Sequence, residues 1–254
     1  MNQTARQSED IIAGRNAVSE ALRGGRAIDS LYVARGCRTG SLNVLIAKAK
    51  EKGIAIKEAD SRKLDALCGG ANHQGVVAVA AVKDYATVDD IFRLAEERGE
   101  PPFLIVADEL EDPHNLGAML RVAECAGAHG IIIPKRRSAG LTWAVGKASA
   151  GAVEYVPVAR VANIAAAVDE LKQRGVWIYG ADMGGEPWCG VDYTGPAAVV
   201  IGSEGFGISR LVKEKCDFII SLPMKGKINS LNASVACGVI CYEIARQRCG
   251  IRTK

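Results

Sequence analysis

A chain of 254 residues with 48% hydrophobic and 24% charged side chains has enough apolar mass for one large or two modest buried cores. Its formal net charge of +3 excludes a global positive field, so a nucleic-acid partner has to be held by local basic patches. No apolar run approaches the ~20 residues of a membrane span, and the opening MNQTARQSEDII has no apolar signal core, which predicts a cytoplasmic protein.

Residues 1–9 read as a flexible tail. From Ile11 the pattern IIAGRNAVSEALRGG gives a turn at Gly14 and a short helix stopped by Gly24-Gly25. SLYVARG is a strand, LNVLIAKAKEKG a helix and IAIKEA a second strand. SRKLDALCGG is a helix with Ser61 as its expected cap, and HQGVVAVAAV is a buried strand. Residues 10–82 thus form a small α/β domain. A linker, 83–101, follows; it breaks at GEPP and holds a helix from Val88 to Glu97 that could equally open the second domain. In 102–254 the alternation becomes regular. Strands FLIVADEL, GIIIP, VWIYGAD, AAVVIGSE and FIISLP are interleaved with helices LGAMLRVAECAG, LTWAVGKASAG, NIAAAVDELKQRG and ISRLVKEKC, and a long terminal helix closes the chain. Strands separated by helices predict an α/β fold with a mostly parallel sheet covered on both faces.

Ligands of open α/β sheets lie beyond the carboxyl ends of the strands, and three such ends are unusual. The first runs from FLIVA into Asp112-Pro113-His114-Asn115 and a helix. With Asn115 near the N-cap, Arg121 projects about two turns further, where it could grip a phosphate or carboxylate; the plainer alternative is a capping Asn and a surface Arg. The second, VVIGSEGFGISR, sets Glu204 among Gly202, Gly205 and Gly207, which allow close backbone approach to a ligand, although a solvated turn carboxylate fits too. The third, FIISLPMKGKINSLNAS, passes from a strand through a basic loop to a helix start with Ser230 at the expected N-cap and Asn232 and Ser234 in the first turn. Its free N–H groups suit a ligand with oxygens or a carboxylate, and Ala233, Ala236 and Gly238 admit a flat one. Lys225 and Lys227 here, with Lys135, Arg136 and Arg137 of KRRSAG, could form a basic rim for phosphates, or merely a solvated face.

Other chemistries find little support. Neither G-x-G-x-x-G nor G-x-x-x-x-G-K-[ST] occurs, which counts against a nicotinamide enzyme or a P-loop protein, and there is no G-x-S-x-G elbow. His73, His114 and His129 lack metal-ligand spacing, so no metal is expected. The eight cysteines, without a CxxC pair and mostly in apolar surroundings, predict reduced, buried thiols. Trp143, Trp177 and Trp188 read as core or interface residues, and Tyr242 as core.

Taken together, NLGAMLRVAECAGAHGIIIP (115–134), VVIGSEGFGIS (199–209) and ISLPMKGKINSLNASVACGVICYE (220–243) resemble, in order and spacing, the SpoU/TrmH family of S-adenosylmethionine-dependent RNA 2′-O-ribose methyltransferases. GRNAVSEAL and HQGVVA resemble the small RNA-binding domain of the subgroup that modifies a guanosine of large-subunit (23S) ribosomal RNA. The resemblance implies a trefoil knot in the C-terminal half and a homodimer in which one subunit completes the site of the other. It implies cofactor contacts from Gly202, Leu222, Met224, Ser230 and Leu231, a catalytic group of Asn115, Arg121, Glu204, Ser230 and Asn232, and RNA contacts from Arg15, Lys135, Arg136, Lys225 and Lys227. Other targets remain open at this point: a transfer RNA, an antibiotic-resistance site on ribosomal RNA, or non-enzymatic RNA binding in ribosome assembly.

Overall fold

A computed structural model describes residues 10–37 and 40–251, and the expected tail at 1–9 lies outside them. The chain forms two compact units, one comprising the chain up to Asp84 with Gly140–Ala144, the other Tyr85–Ala139 with Val145–Lys254.

The first unit runs β1 (Ile11–Ala13), α1 (Arg15–Arg23), β2 (Ile28–Ala34), α2 (Gly40–Glu51), β3 (Ala55–Ala59), α3 (Ser61–Cys68) and β4 (Val76–Ala80). Its sheet has the order β1-β4-β2-β3, with β2 and β3 parallel and β4 antiparallel to both β1 and β2. Alternation within the strands feeds two cores. Leu31, Val33, Val76 and Ala78 pack with Val18 and Leu22 of α1 and with Leu42 and Leu45 of α2, while Val77 and Ala59 meet Leu64 of α3. The cap of α3 is Asp60, not Ser61: Asp60 is extended and its carboxylate accepts from the Lys63 N–H at 2.8 Å, leaving Ser61 as the first helical residue.

The second unit runs α4 (Val88–Arg98), β5 (Phe103–Ala107), α5 (Pro113–Ala126), β6 (Gly130–Pro134), α6 (Trp143–Ala148, its first two residues in the first unit), β7 (Val158–Val161), α7 (Ile164–Gln173), β8 (Trp177–Pro187), β9 (Ala197–Ile201), α8 (Arg210–Lys215), β10 (Phe218–Ser221) and α9 (Ala233–Arg248). Its six strands are all parallel, in the order β10-β8-β9-β5-β6-β7. FLIVA, GIIIP and AAVVI are buried at every residue, as strands covered on both faces must be. The stretch read as a linker holds α4, whose Ile91 is buried in this core with Leu104, Val106 and Ile132, so the unit begins at Tyr85. On the same face lie Val168 and Leu171 of α7 and Val212 of α8. On the other face α5 and α9 pack together, with α9 also against β9.

Order along the sheet reverses between β5 and β9, which puts the switch-point crevice beside the first and second unusual loops. The far end of α9 is tied down at the opposite edge: the Arg248 guanidinium donates to the carbonyls of Pro101, Pro102, Tyr193 and Gly195 at 2.7–3.2 Å.

Several side chains depart from expectation. All eight cysteines are free, but only Cys237 and Cys241 are buried; Cys125, Cys189 and Cys249 are exposed, on helix faces and loops that the apolar count could not orient. Tyr242 is about half exposed rather than core, and Trp177, read as core or interface, is about half exposed too, since each occupies an outward position on its element. Among the described residues no helix is long and apolar enough to cross a membrane.

Candidate active site

Two carboxamides and a carboxylate from the three unusual loops meet at one point. The Asn115 Nδ2 donates to Glu204 Oε1 at 3.1 Å, the Asn232 Nδ2 donates to Asn115 Oδ1 at 2.9 Å, and Asn232 Nδ2 also reaches Glu204 Oε1. These residues lie 89, 117 and 28 positions apart in the chain. Asn115 is buried, whereas Glu204 and Asn232 open to solvent, so the triangle has a closed base and an accessible mouth.

Local structure explains each corner. Asp112 caps α5 by accepting from the His114 N–H at 2.9 Å, with Pro113 at the first helical position, so Asn115 lies inside the first turn rather than at the cap. That placement turns Asn115 inward. Six residues on, Arg121 stands about 120° round the helix, exposed and with no hydrogen bond or ion pair among the described residues. Arg121, expected in the catalytic group, therefore faces away from the triangle. Glu204 is presented by a tight hairpin in which Ser203 and Gly207 exchange two backbone hydrogen bonds, at 2.8 and 3.1 Å. Gly202 at its base has no substitute: a Cβ there would overlap the Gly207 carbonyl and the Ile208 nitrogen.

The third corner corrects the expected cap. Asn232, not Ser230, is the N-cap of α9; its Oδ1 accepts from the N–H groups of Ser234 and Val235 at 3.0 and 3.2 Å and from the Ser234 hydroxyl at 2.6 Å. Two of the helix-start N–H groups expected to hold a ligand are thus consumed by Asn232. Its carboxamide faces both ways, with the oxygen pinning the helix and the nitrogen reaching Asn115 and Glu204.

Beside the triangle opens a cleft of about 270 Å³, close to the small end of ligand pockets. Its walls come from Gly202–Gly207, from Leu222, Met224, Ser230 and Leu231, and from Ala233 and Ala236 of α9. Every expected cofactor residue lines it. So does Asp182, midway along β8 and just past its pairing with β9, bonded to Lys213 at 2.7 Å, which sequence reading missed because nothing in GADMGG signals that β8 lies next to β9.

The expected RNA-binding residues are scattered. Lys225 and Lys227 are exposed in the loop after β10, whereas Lys135 and Arg136 follow β6, four strand positions across the sheet or roughly 19 Å away. Arg15 is engaged inside its own unit, donating to the Gln74 carbonyl at 3.0 Å and to the Ser41 hydroxyl at 2.9 Å, so it ties GRN to HQG. No cluster of three His, Cys, Asp or Glu side chains able to hold a metal ion occurs among the described residues.

Comparison with known proteins bears on the family and the fold. Residues 102–242 match the model of the SpoU rRNA methylase family, and residues 11–86 match one for RNA 2′-O ribose methyltransferase substrate binding. The chain is 51% identical over 243 residues to YacO of Bacillus subtilis, named in the TrmH family of tRNA/rRNA methyltransferases, covering 95% of this chain and 97% of that one. A similarly named Staphylococcus haemolyticus protein is 46% identical, with 94% and 97% covered. Among solved structures, the SpoU methyltransferase AviRb of Streptomyces viridochromogenes, in complex with AdoMet, shares the fold with a TM-score of 0.61 at 24% identity, over 99% of this chain and 96% of that one. The A. aeolicus TrmH/SpoU tRNA modifying enzyme gives 0.55 at 30% identity, over 64% and 84%.

Proposed function

The chain belongs to the SpoU rRNA methylase family, and on that premise we propose that it methylates a ribose 2′-hydroxyl of RNA using S-adenosylmethionine, with a guanosine of 23S ribosomal RNA as its target. The observation that carries this reading is the meeting of Asn115, Glu204 and Asn232 at the mouth of the cleft. The residues present suit the cofactor. Gly202 lets the hairpin close against the cleft, Leu222, Met224 and Leu231 offer apolar walls to a purine, and Ser230 supplies a polar group. When bound, S-adenosylmethionine supplies a sulfonium-activated methyl group.

The protein's own work is alignment of the ribose and stabilisation of its oxygen while the hydroxyl proton passes to solvent water at the open mouth of the site. Asn115 and Asn232 hold Glu204 Oε1, leaving its second oxygen to orient the ribose. Arginine keeps its proton in proteins, so Arg121 serves as a cation that binds the neighbouring phosphate and stabilises the developing oxyanion. Because Arg121 faces away from its own triangle, it acts on the site of a second subunit. Val235, Val239 and Tyr242, exposed at helical spacing along α9, supply the apolar face for that homodimer. The trefoil knot belongs to the same reading, as do RNA capture by residues 10–82 and phosphate contacts from Lys135, Arg136, Lys225 and Lys227.

The test is methyl transfer from tritiated cofactor to 23S ribosomal RNA and to bulk transfer RNA, both from cells lacking the gene, followed by mapping of the modified ribose. Label at a single 23S guanosine is the expected result. Label confined to transfer RNA would replace the substrate, and no label in either would remove the activity. In the same preparation, Val239→Glu should yield monomers on sedimentation; an unchanged dimer would put the interface elsewhere.

A further inference from the structure

Phe206 stands at the tip of the Ser203–Gly207 hairpin with 95% of its surface in solvent, the most exposed of the large apolar side chains among the described residues. It reaches the lip of the cleft, two residues from Glu204. Met183 and Ile228, also on or beside the rim, are 62% and 77% exposed. Leaving an aromatic ring bare on a short hairpin is unfavourable unless something covers it during function. The cofactor already has Leu222, Met224 and Leu231 along the cleft, and Phe206, which lines it at the hairpin tip, keeps nearly its whole surface in solvent.

Resting on the proposed activity, we infer that Phe206 is a stacking platform for the nucleobase of the nucleotide being methylated. A ribose hydroxyl set against Glu204 leaves its base, joined to the same sugar, within reach of the hairpin tip. Single-stranded RNA is read largely by stacking unpaired bases on aromatic faces. The ring is a positioning residue: it fixes the sugar by holding the base, and any base with a flat face satisfies it, so it contributes affinity and orientation rather than sequence choice.

The experiment measures steady-state methyl transfer to RNA and calorimetric binding of S-adenosylhomocysteine for wild type, Phe206→Ala, Phe206→Leu and Phe206→Trp. Stacking predicts that Phe206→Ala raises KM for RNA between about fivefold and a hundredfold, with Kd for S-adenosylhomocysteine within twofold of wild type. Phe206→Trp should restore KM and Phe206→Leu should not. Full rescue by Leu, a loss confined to cofactor affinity, or dissociation of the Ala variant's dimer would each overturn the proposal, showing an apolar cover, a cofactor lid or a subunit contact instead. An inactive wild type would defeat the methyltransferase reading itself, whereas an active wild type matched by Phe206→Ala would defeat the stacking role alone.

Discussion

Replacing Asn232 by alanine tests the triangle most severely. The change removes the N-cap of α9, worth about 1 kcal/mol, because the Ser234 and Val235 N–H groups lose their acceptor. It also strips the buried Asn115 Oδ1 of its donor, at a cost of about 1–3 kcal/mol. Together these give a destabilisation of about 2–4 kcal/mol, with loss of the contact that holds Glu204. Asn232→Ser keeps a capping oxygen but lacks the amide, so it should lose only the second contribution, and the difference between the two variants isolates the cap. Asn232→Asp keeps the cap but opposes Glu204 with a second carboxylate, so its binding of S-adenosylhomocysteine should improve as pH falls. Urea unfolding followed by tryptophan fluorescence gives the stabilities, and calorimetry the affinities. A loss below about 0.5 kcal/mol in the alanine variant, within the range of an ordinary surface change, would refute the reasoning.

Two further outcomes follow from the same geometry. Arg121→Ala should reduce methyl transfer by at least about a hundredfold, the scale of a lost oxyanion donor, while leaving Kd for S-adenosylhomocysteine near wild type; parallel loss of both in calorimetry and the tritium assay would make Arg121 structural. His129 is fully buried, its Nδ1 accepting from the Phe103 N–H at 3.0 Å and its Nε2 bonding Glu100 at 3.1 Å. Burial holds its pKa below the ordinary 6.5, with Glu100 opposing that shift. The unfolded chain therefore binds the proton more tightly, so His129 costs no stability well above pH 6.5 and erodes stability as pH falls below it. Thermal melts from pH 8 to 5 should show that decline in wild type and a shallower one in His129→Asn; parallel slopes would contradict it.

Strand and helix placement were legible because continuous apolar runs such as FLIVA and AAVVI have few ways to be buried. Helix starts were less so. In NSLNAS both Ser230 and Asn232 can cap, and only the backbone decides; in DPHN the proline fixes Asp112 as the cap and carries Asn115 inside the helix. That one-turn difference separates Asn115 from Arg121 on the helix surface, which spacing alone left open. Asp182 carried no motif, and its place depends on β8 and β9 being neighbours. Arg15 read as a basic contact, yet its hydrogen bonds are to Gln74 and Ser41, partners that only the folded unit supplies.

Hydrogen exchange with and without S-adenosylhomocysteine tests directly whether two distant loops build one cofactor cleft. Protection should appear together in 202–208 and 222–236 and leave the exchange of β2 and β3 unchanged. Protection of only one loop, or of neither at saturating ligand, would contradict the account.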